Sequence, residues 1–388
     1  KIAGVDTAFS LDAEAIQSLV SGGGAGPGVV RWGRLDRIKA AIASATPAAP
    51  AEIVRIGNST TVGAGSGVTG NSWGTNAHDR NCSGQFVALA NAAAGVGTNG
   101  LISNDSQIAN SYTGHPAADF GTYFPRMSFG SGWQFLTSTF GGFCMRADAG
   151  ATGACRYTLI PGSGRRIRLI WFTFSQISVR TDVNDFGMIP AGTANQPNTT
   201  WFNIPDSATY IEFYNNTSTW LMHSITAYNA TQKVNMLNAG FNGRKLSDYV
   251  DATAYYSSLN VFKYIAPKLT VICGSINDAT VGTLKLTFRQ QLVTLVEAAL
   301  LSGDCALEME AISSDASSTD GKLWDIQDAM QSVADEYNLT LLSLPAVLGG
   351  YAQANAAGDM FDLQHPTYQG YGKEAAGIWL PLWNKIKS

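Results

Sequence analysis

The sequence predicts an α/β fold, with a parallel sheet covered on both faces and an all-β sandwich inserted within it. Three observations carry this. From about residue 231 onward, apolar strand-like runs alternate with helical patterns, which is the rhythm of βαβ units. Between about 125 and 230 that rhythm gives way to short β-branched and aromatic runs punctuated by Gly, Pro, Asn and Asp, the texture of a sandwich. A strand and a helical pattern of the first kind also precede residue 125, so the β-rich stretch interrupts one α/β unit.

Residues 1–50 read as an N-terminal lead-in: a Gly-rich break at 22–28, apolar residues at helical spacing over 34–43, then a stop at Pro47 and Pro50. Residues 51–124 begin the α/β unit, with a β-like run at 52–56 ending abruptly at Gly57-Asn58-Ser59 and a helix near 83–94. In the 125–230 insert the clearest strands are 166–174, 209–214 and 220–225. Residues 231–388 complete the α/β unit. Strands are expected at 234–237, 269–273, 306–312 and 339–342, helices at 286–301 and 323–336, and a last helix at 368–385.

A hydrophobic content of 45% supports a sizeable core, while 41 Gly and only 14% charged residues give long neutral, polar stretches. Net charge is −4 with no Lys/Arg-rich run, which argues against a nucleic-acid or anionic-membrane partner. No run approaches the ~18 apolar residues of a membrane span. The chain begins at Lys1 rather than Met, so a processed or excised form is expected. Cys82, Cys144, Cys155, Cys273 and Cys305 form no CxxC or zinc spacing. Cys144 and Cys155 flank a Gly-rich turn and read either as a short loop disulfide or as two small buried hydrophobes. Cys273 reads as a core strand residue. His78, His115 and His223 lack partners at ligand spacing, so no metal is expected. Residues 65–70 formally spell G-x-G-x-x-G, but they start eight residues past Gly57 instead of at the strand–helix turn, so no dinucleotide or other cofactor is expected. A P-loop is absent from the sequence.

The chemistry concentrates in small blocks at strand ends. Gly57-Asn58-Ser59 places a serine at the carboxyl edge of a strand, where open α/β sheets bind ligands. Asp362-Leu-Gln-His365 precedes the last helix. A serine hydroxyl becomes a nucleophile when a histidine takes its proton, and a carboxylate fixes that histidine's tautomer. An oxyanion also needs donors. Gly243, in the block that follows the strand at 234–237, offers a backbone N–H, Asn277 a side-chain amide, and Ser59 its own N–H.

These four blocks, in this order, resemble the SGNH/GDSL hydrolases. The resemblance covers about 51–96 and 231–388, and implies a three-layer, flavodoxin-like α/β/α fold. It carries Ser59 over as nucleophile, His365 as base, Asp362 as its partner, and Ser59, Gly243 and Asn277 as oxyanion-hole donors. Two departures stand out: Asn58 replaces the usual Asp, and the third block has one extra residue, Gly274-Ser-Ile-Asn277-Asp. The insert resembles the jelly-roll carbohydrate-binding modules of carbohydrate esterases. Of its Trp133, Trp171, Trp201, Trp220, Tyr210 and Tyr214, most are expected in the core and a few exposed as a stacking platform for sugars.

The function expected is therefore a serine esterase removing O-acetyl or other short acyl groups from a glycan through an acyl-enzyme. The alternatives are a non-catalytic glycan-binding or phage tail-associated module, and a short-chain acyl esterase or lipase. The neutral surface suggests an extracellular or virion-associated setting. The oligomeric state stays open.

Overall fold

A computed structural model describes residues 28–46, 48–63, 81–93, 102–103, 127–137, 143–147, 153–159, 165–173, 176–190, 192–193, 196–214, 220–229, 233–240, 243–254, 257–274, 276–310, 312 and 320–388. The chain opens with β1 (Val29–Arg31), α1 (Asp36–Ser44), β2 (Ala51–Gly57), α2 (Ser59–Val62), α3 (Cys82–Ala93) and β3 (Ile102–Ser103). Ten strands follow: β4 (Met127–Phe129), β5 (Trp133–Thr137), β6 (Phe143–Ala147), β7 (Cys155–Thr158), β8 (Arg165–Thr173), β9 (Ile177–Thr181), β10 (Asp185–Ile189), β11 (Asn198–Ile204), β12 (Tyr210–Tyr214) and β13 (Trp220–Asn229). Then come β14 (Val234–Gly240), α4 (Leu246–Tyr249), α5 (Ser258–Ile265), β15 (Leu269–Gly274), α6 (Ile276–Thr280), α7 (Lys285–Ser302) and β16 (Asp304–Met309). The chain finishes with α8 (Asp320–Tyr337), β17 (Thr340–Ser343), α9 (Leu344–Leu348), α10 (Tyr351–Ala356), α11 (Tyr368–Glu374), a π-helical turn (Ala375–Trp379) and α12 (Leu380–Ile386).

The main sheet runs β1-β17-β16-β15-β2-β14-β3. All neighbours are parallel except β1, which lies antiparallel to β17. The expected all-parallel sheet is thus corrected to a mixed one by an edge strand too short to show a pattern. Around β2 the chain order of the five central strands is second, first, third, fourth, fifth, so connections leave β2 and β15 toward opposite sides. That divergence opens a crevice at their carboxyl ends.

Side chains alternate along β2, and the strand is buried throughout. Val54 and Ile56 face a cluster with Ile272, Leu307, Phe262, Leu292 and Met330. Ile53 faces the opposite cluster with Val271, Ala306, Phe86 and Trp379. Two apolar layers sandwiching one sheet make the three-layer architecture.

The described part of the expected lead-in is corrected too. β1 pairs with β17, and Leu35 and Ile38 on and beside α1 pack in the main core, so residues from Gly28 onward belong to the α/β unit. The last helix is also not uniform. Pro381 near the start of α12 cannot donate to the Gly377 carbonyl, the helix loosens into the π turn, and the Gly28 N–H takes that carbonyl at 2.9 Å.

Strands β4 to β13 form two five-stranded antiparallel sheets, β10-β9-β12-β7-β4 and β11-β8-β13-β6-β5. Their facing sides share one core of Trp133, Tyr157, Leu169, Trp171, Val179, Ile211 and Phe213. The other face of β8 meets the α/β unit. Ile170 packs into the α/β core, and Arg168 pairs with Glu52 at 3.1 Å with both side chains nearly buried. Glu52 also accepts from Asn235 Nδ2 at 2.9 Å, and Arg166 donates to the Ala48 carbonyl at 2.6 Å.

Cys155 is a free, buried thiol on β7, while Cys144 lies on β6 in the opposite sheet, which decides the open choice for Cys155 in favour of a small buried hydrophobe. Cys273 is a buried residue of β15, as expected. The Gly-rich segment 65–70, His78 and His115 lie outside the described residues, and His223 lies on β13. Among the described residues, no helix is long and apolar enough to cross a membrane.

Candidate active site

Strand β2 ends in register with its neighbours: Gly57 lies beside Gly240 of β14, and Ile56 beside Ile272 of β15. Past Gly57 the chain turns at once into α2. Asn58 caps this turn, its side-chain oxygen accepting from the Thr60 N–H at 3.0 Å, and Gly63 closes it with φ near 104°. Asn58 thus performs the turn-forming role that an Asp side chain would. Two further contacts hold the turn: Asn238 Nδ2 donates to the Thr61 carbonyl at 2.7 Å, and the buried Tyr249 hydroxyl donates to the Gly57 carbonyl.

Across the crevice, residues 359–367 form a closed loop. Phe361 N–H donates to the His365 carbonyl at 2.8 Å, and Thr367 N–H to the Asp359 carbonyl at 2.7 Å. Within it Asp362 Oδ1 accepts the backbone N–H groups of Gln364 and His365, both at 2.8 Å. The same carboxylate meets His365 Nδ1 at 2.8 Å from Oδ2. His365 Nε2 lies 2.8 Å from Ser59 Oγ. The structure therefore brings Ser59, His365 and Asp362 into one hydrogen-bonded chain across 306 residues of sequence. Partial burial pushes the Asp362 carboxyl upward, but the bonds from His365 and the two backbone N–H groups outweigh it and hold the group below its usual value. A carboxylate that stays ionised keeps Nδ1 protonated and leaves Nε2 free to accept the serine proton.

The two remaining sequence-predicted residues sit on the segments that follow β14 and β15. Gly243 has φ near +75°, and its Cα faces open space. Asn277, on α6 beyond β15, donates one Nδ2 proton to the Arg244 carbonyl at 2.9 Å. Asp278 accepts the Leu246 N–H at 3.0 Å and tightens the same seam. An amide nitrogen carries two protons, so Asn277 retains a second donor. Sequence reasoning missed Asn238, Tyr249 and Thr61, which shape the nucleophile turn, and the buried charges Arg55, Glu308, Glu310 and Glu374. A signal existed for three of these charges: Arg55, Glu308 and Glu310 interrupt or flank apolar strand runs. No group of three or more His, Cys, Asp or Glu among the described residues is arranged to hold a metal ion.

Of the insert aromatics, Trp133 and Trp171 are buried in the sandwich core and Trp201 is partly exposed under Arg166. Arg156 and Arg180 cover the rings of Tyr210 and Tyr214.

No protein-family model matches the chain, and no curated protein does. Among solved structures, a peptidoglycan O-acetylesterase superposes with a TM-score of 0.62 at 14% identity, covering 91% of this chain and 95% of that one. A G-D-S-L lipolytic protein from Veillonella parvula matches at 19% identity over 39% of this chain and 81% of its own, with a TM-score of 0.33. A family-two carbohydrate esterase from Cellvibrio japonicus matches at 13% identity over 70% and 96%, with a TM-score of 0.29. At this identity the first match speaks for architecture. The chain shares the overall fold of that solved structure.

Proposed function

We propose that the chain is a serine esterase that removes O-acetyl or similarly short acyl groups from a carbohydrate. The observation that carries this is the continuous contact Asp362–His365–Ser59, with 2.8 Å on each side of the imidazole. In the reaction, Ser59 Oγ attacks the ester carbonyl as His365 Nε2 takes its proton. Asp362 stabilises the imidazolium that forms. The tetrahedral oxyanion meets the Ser59 and Gly243 N–H groups and the free amide proton of Asn277. Collapse of this intermediate transfers the proton from His365 to the departing sugar oxygen and leaves an acyl-serine. Water, activated by the same imidazole, then releases the carboxylic acid.

The glycan preference draws on two supports. The architecturally similar protein is a peptidoglycan O-acetylesterase, and a two-sheet β-sandwich beside the α/β unit suits polymer substrates. The test is acetate release from an aryl acetate and from O-acetylated polysaccharides by the parent and by Ser59→Ala. Loss of activity in the variant is expected, and an unchanged rate removes Ser59 from the mechanism. A fall in rate beyond acetyl or propionyl esters is expected for a glycan deacetylase, and a preference for long acyl chains would overturn the substrate class.

A further inference from the structure

Beneath the nucleophile turn lies a set of charges that the esterase chemistry leaves unused. Arg55 of β2 is fully buried, with Nε 3.2 Å from Glu308 Oε2 and Nη2 3.4 Å from Glu310 Oε1, and it also pairs with Glu374 of α11. All three carboxylates are buried as completely as the guanidinium they share. One of them reaches the site: Thr61 Oγ1 donates to Glu310 Oε2 at 2.7 Å, two residues beyond Ser59 on the same short turn. The Thr61 hydroxyl leans over the end of β2, where a β-carbon at Gly57 would come within 1.9 Å of it.

We propose that Glu310 is a positioning residue for the nucleophile: through Thr61 it holds the turn that sets Ser59 against His365. The proposal rests on the serine-esterase reading and extends it. α2 is a single turn, too short to be stable on its own hydrogen bonds. Its orientation is therefore decided by what grips it, and among the described residues Glu310 is a buried charged group that does. A buried ionic cluster contributes little net stability but strongly favours one geometry, because any rearrangement strands a charge.

The groups facing Glu310 come from every element packed on it: Arg55 on β2, Glu308 on β16, Cys273 on β15, Tyr249 on α4, and Tyr371 and Glu374 on α11. Burial out of water, with one guanidinium shared among neighbouring carboxylates, raises the Glu310 and Glu374 carboxyls above their usual values. Burial, with Glu308 alongside and Arg55 opposing, places the Glu310 carboxyl at about 7. The grip on Thr61 thus strengthens as Glu310 ionises, since a carboxylate accepts a hydrogen bond more strongly than its acid.

The test uses the full chain, an aryl acetate, and the variants Thr61→Val, Thr61→Ser, Glu310→Gln, Glu310→Leu and Ser59→Ala. Thr61→Val and Glu310→Leu are expected to lower kcat about 10–100-fold with little change in KM, the scale of a misplaced reacting group. Thr61→Ser, which restores the hydroxyl, is expected to recover most of that loss. Glu310→Gln is expected to keep most of kcat, because an amide oxygen still accepts from Thr61. The proposal is overturned if Thr61→Val, folded with a cooperative melt, turns over at the wild-type rate, or if Thr61→Ser is as slow as Thr61→Val. Should Glu310→Leu fail to fold, the Thr61 pair carries the test alone. Activity retained by Ser59→Ala would instead overturn the esterase reading, whatever the Glu310 variants do.

Discussion

Replacing Gly57 by Ala is the sharpest test of how tightly the nucleophile turn is built. The added methyl would lie 1.9 Å from Thr61 Oγ1, 2.7 Å from Cys273 Cβ and 3.0 Å from the Cys273 carbonyl oxygen, against ordinary contacts of 3.4–4 Å. Thr61 cannot swing aside without giving up its 2.7 Å bond to Glu310, and a lost hydrogen bond to a charged group costs about 1.5–3 kcal/mol. Overpacking against Cys273 on the adjacent strand adds about 1–3 kcal/mol. Together these predict a loss of about 2.5–6 kcal/mol in the urea unfolding free energy. A displacement of the turn by about 1 Å should also cost about 10²-fold in kcat on an aryl acetate. Gly243→Ala is the control. It meets open space but has φ near +75°, so only the left-handed backbone penalty of about 1–2 kcal/mol applies. A Gly57→Ala chain within about 0.5 kcal/mol of the parent, the range of an ordinary surface change, would refute the reasoning.

Asp362→Asn should lower kcat by about 10³–10⁴ while leaving the melting temperature nearly unchanged, because the tautomer of His365 is lost rather than any packing. Asn277→Ala should cost about 10²–10³ in kcat, read from steady-state kinetics with the same ester. Because Asp362 is held below the usual carboxylate value, its protonation should not contribute to loss of activity until the pH falls below that range, which a pH–rate profile checks. Glu310 works in the opposite direction on stability. Its folded-state value, raised from 4.5 to about 7, means that its contribution is complete below about pH 4.5, declines above it, and is gone once the pH passes about 7. Unfolding free energies from urea titrations at pH 5 and pH 8 should therefore differ more for the parent than for Glu310→Gln, by up to about 3 kcal/mol.

Much of this was legible because buried parallel strands announce themselves as apolar runs. β2, β14, β15, β16 and β17 all overlap runs readable in the sequence, and α7 and α8 fall where period-3.6 patterns lie. The Asp362–His365 turn was legible for a local reason, since two residues three apart fit one Asx-type turn. Other features depend on contacts distant in sequence. β1 is three residues long and becomes a strand only because β17 offers an edge. β14 runs on to Gly240, three residues past its apolar run, because Asn238 finds a partner in the Thr61 carbonyl. Arg55 and Glu310 look like misplaced surface charges until the fold shows that they meet across β15 and answer one another.

The Arg168–Glu52 pair has a consequence for how this protein can be taken apart. Glu52 stands near the start of the strand that presents Ser59 at its other end. The sandwich is therefore more than a cassette hung from a loop. Deleting it, or exchanging it for another of the same outline, would strip the cover from Ile170's apolar seat and leave a carboxylate without its cation at the root of the nucleophile strand. A working chimera has to bring an arginine, or to replace Glu52 and Asn235 together with apolar residues of similar bulk.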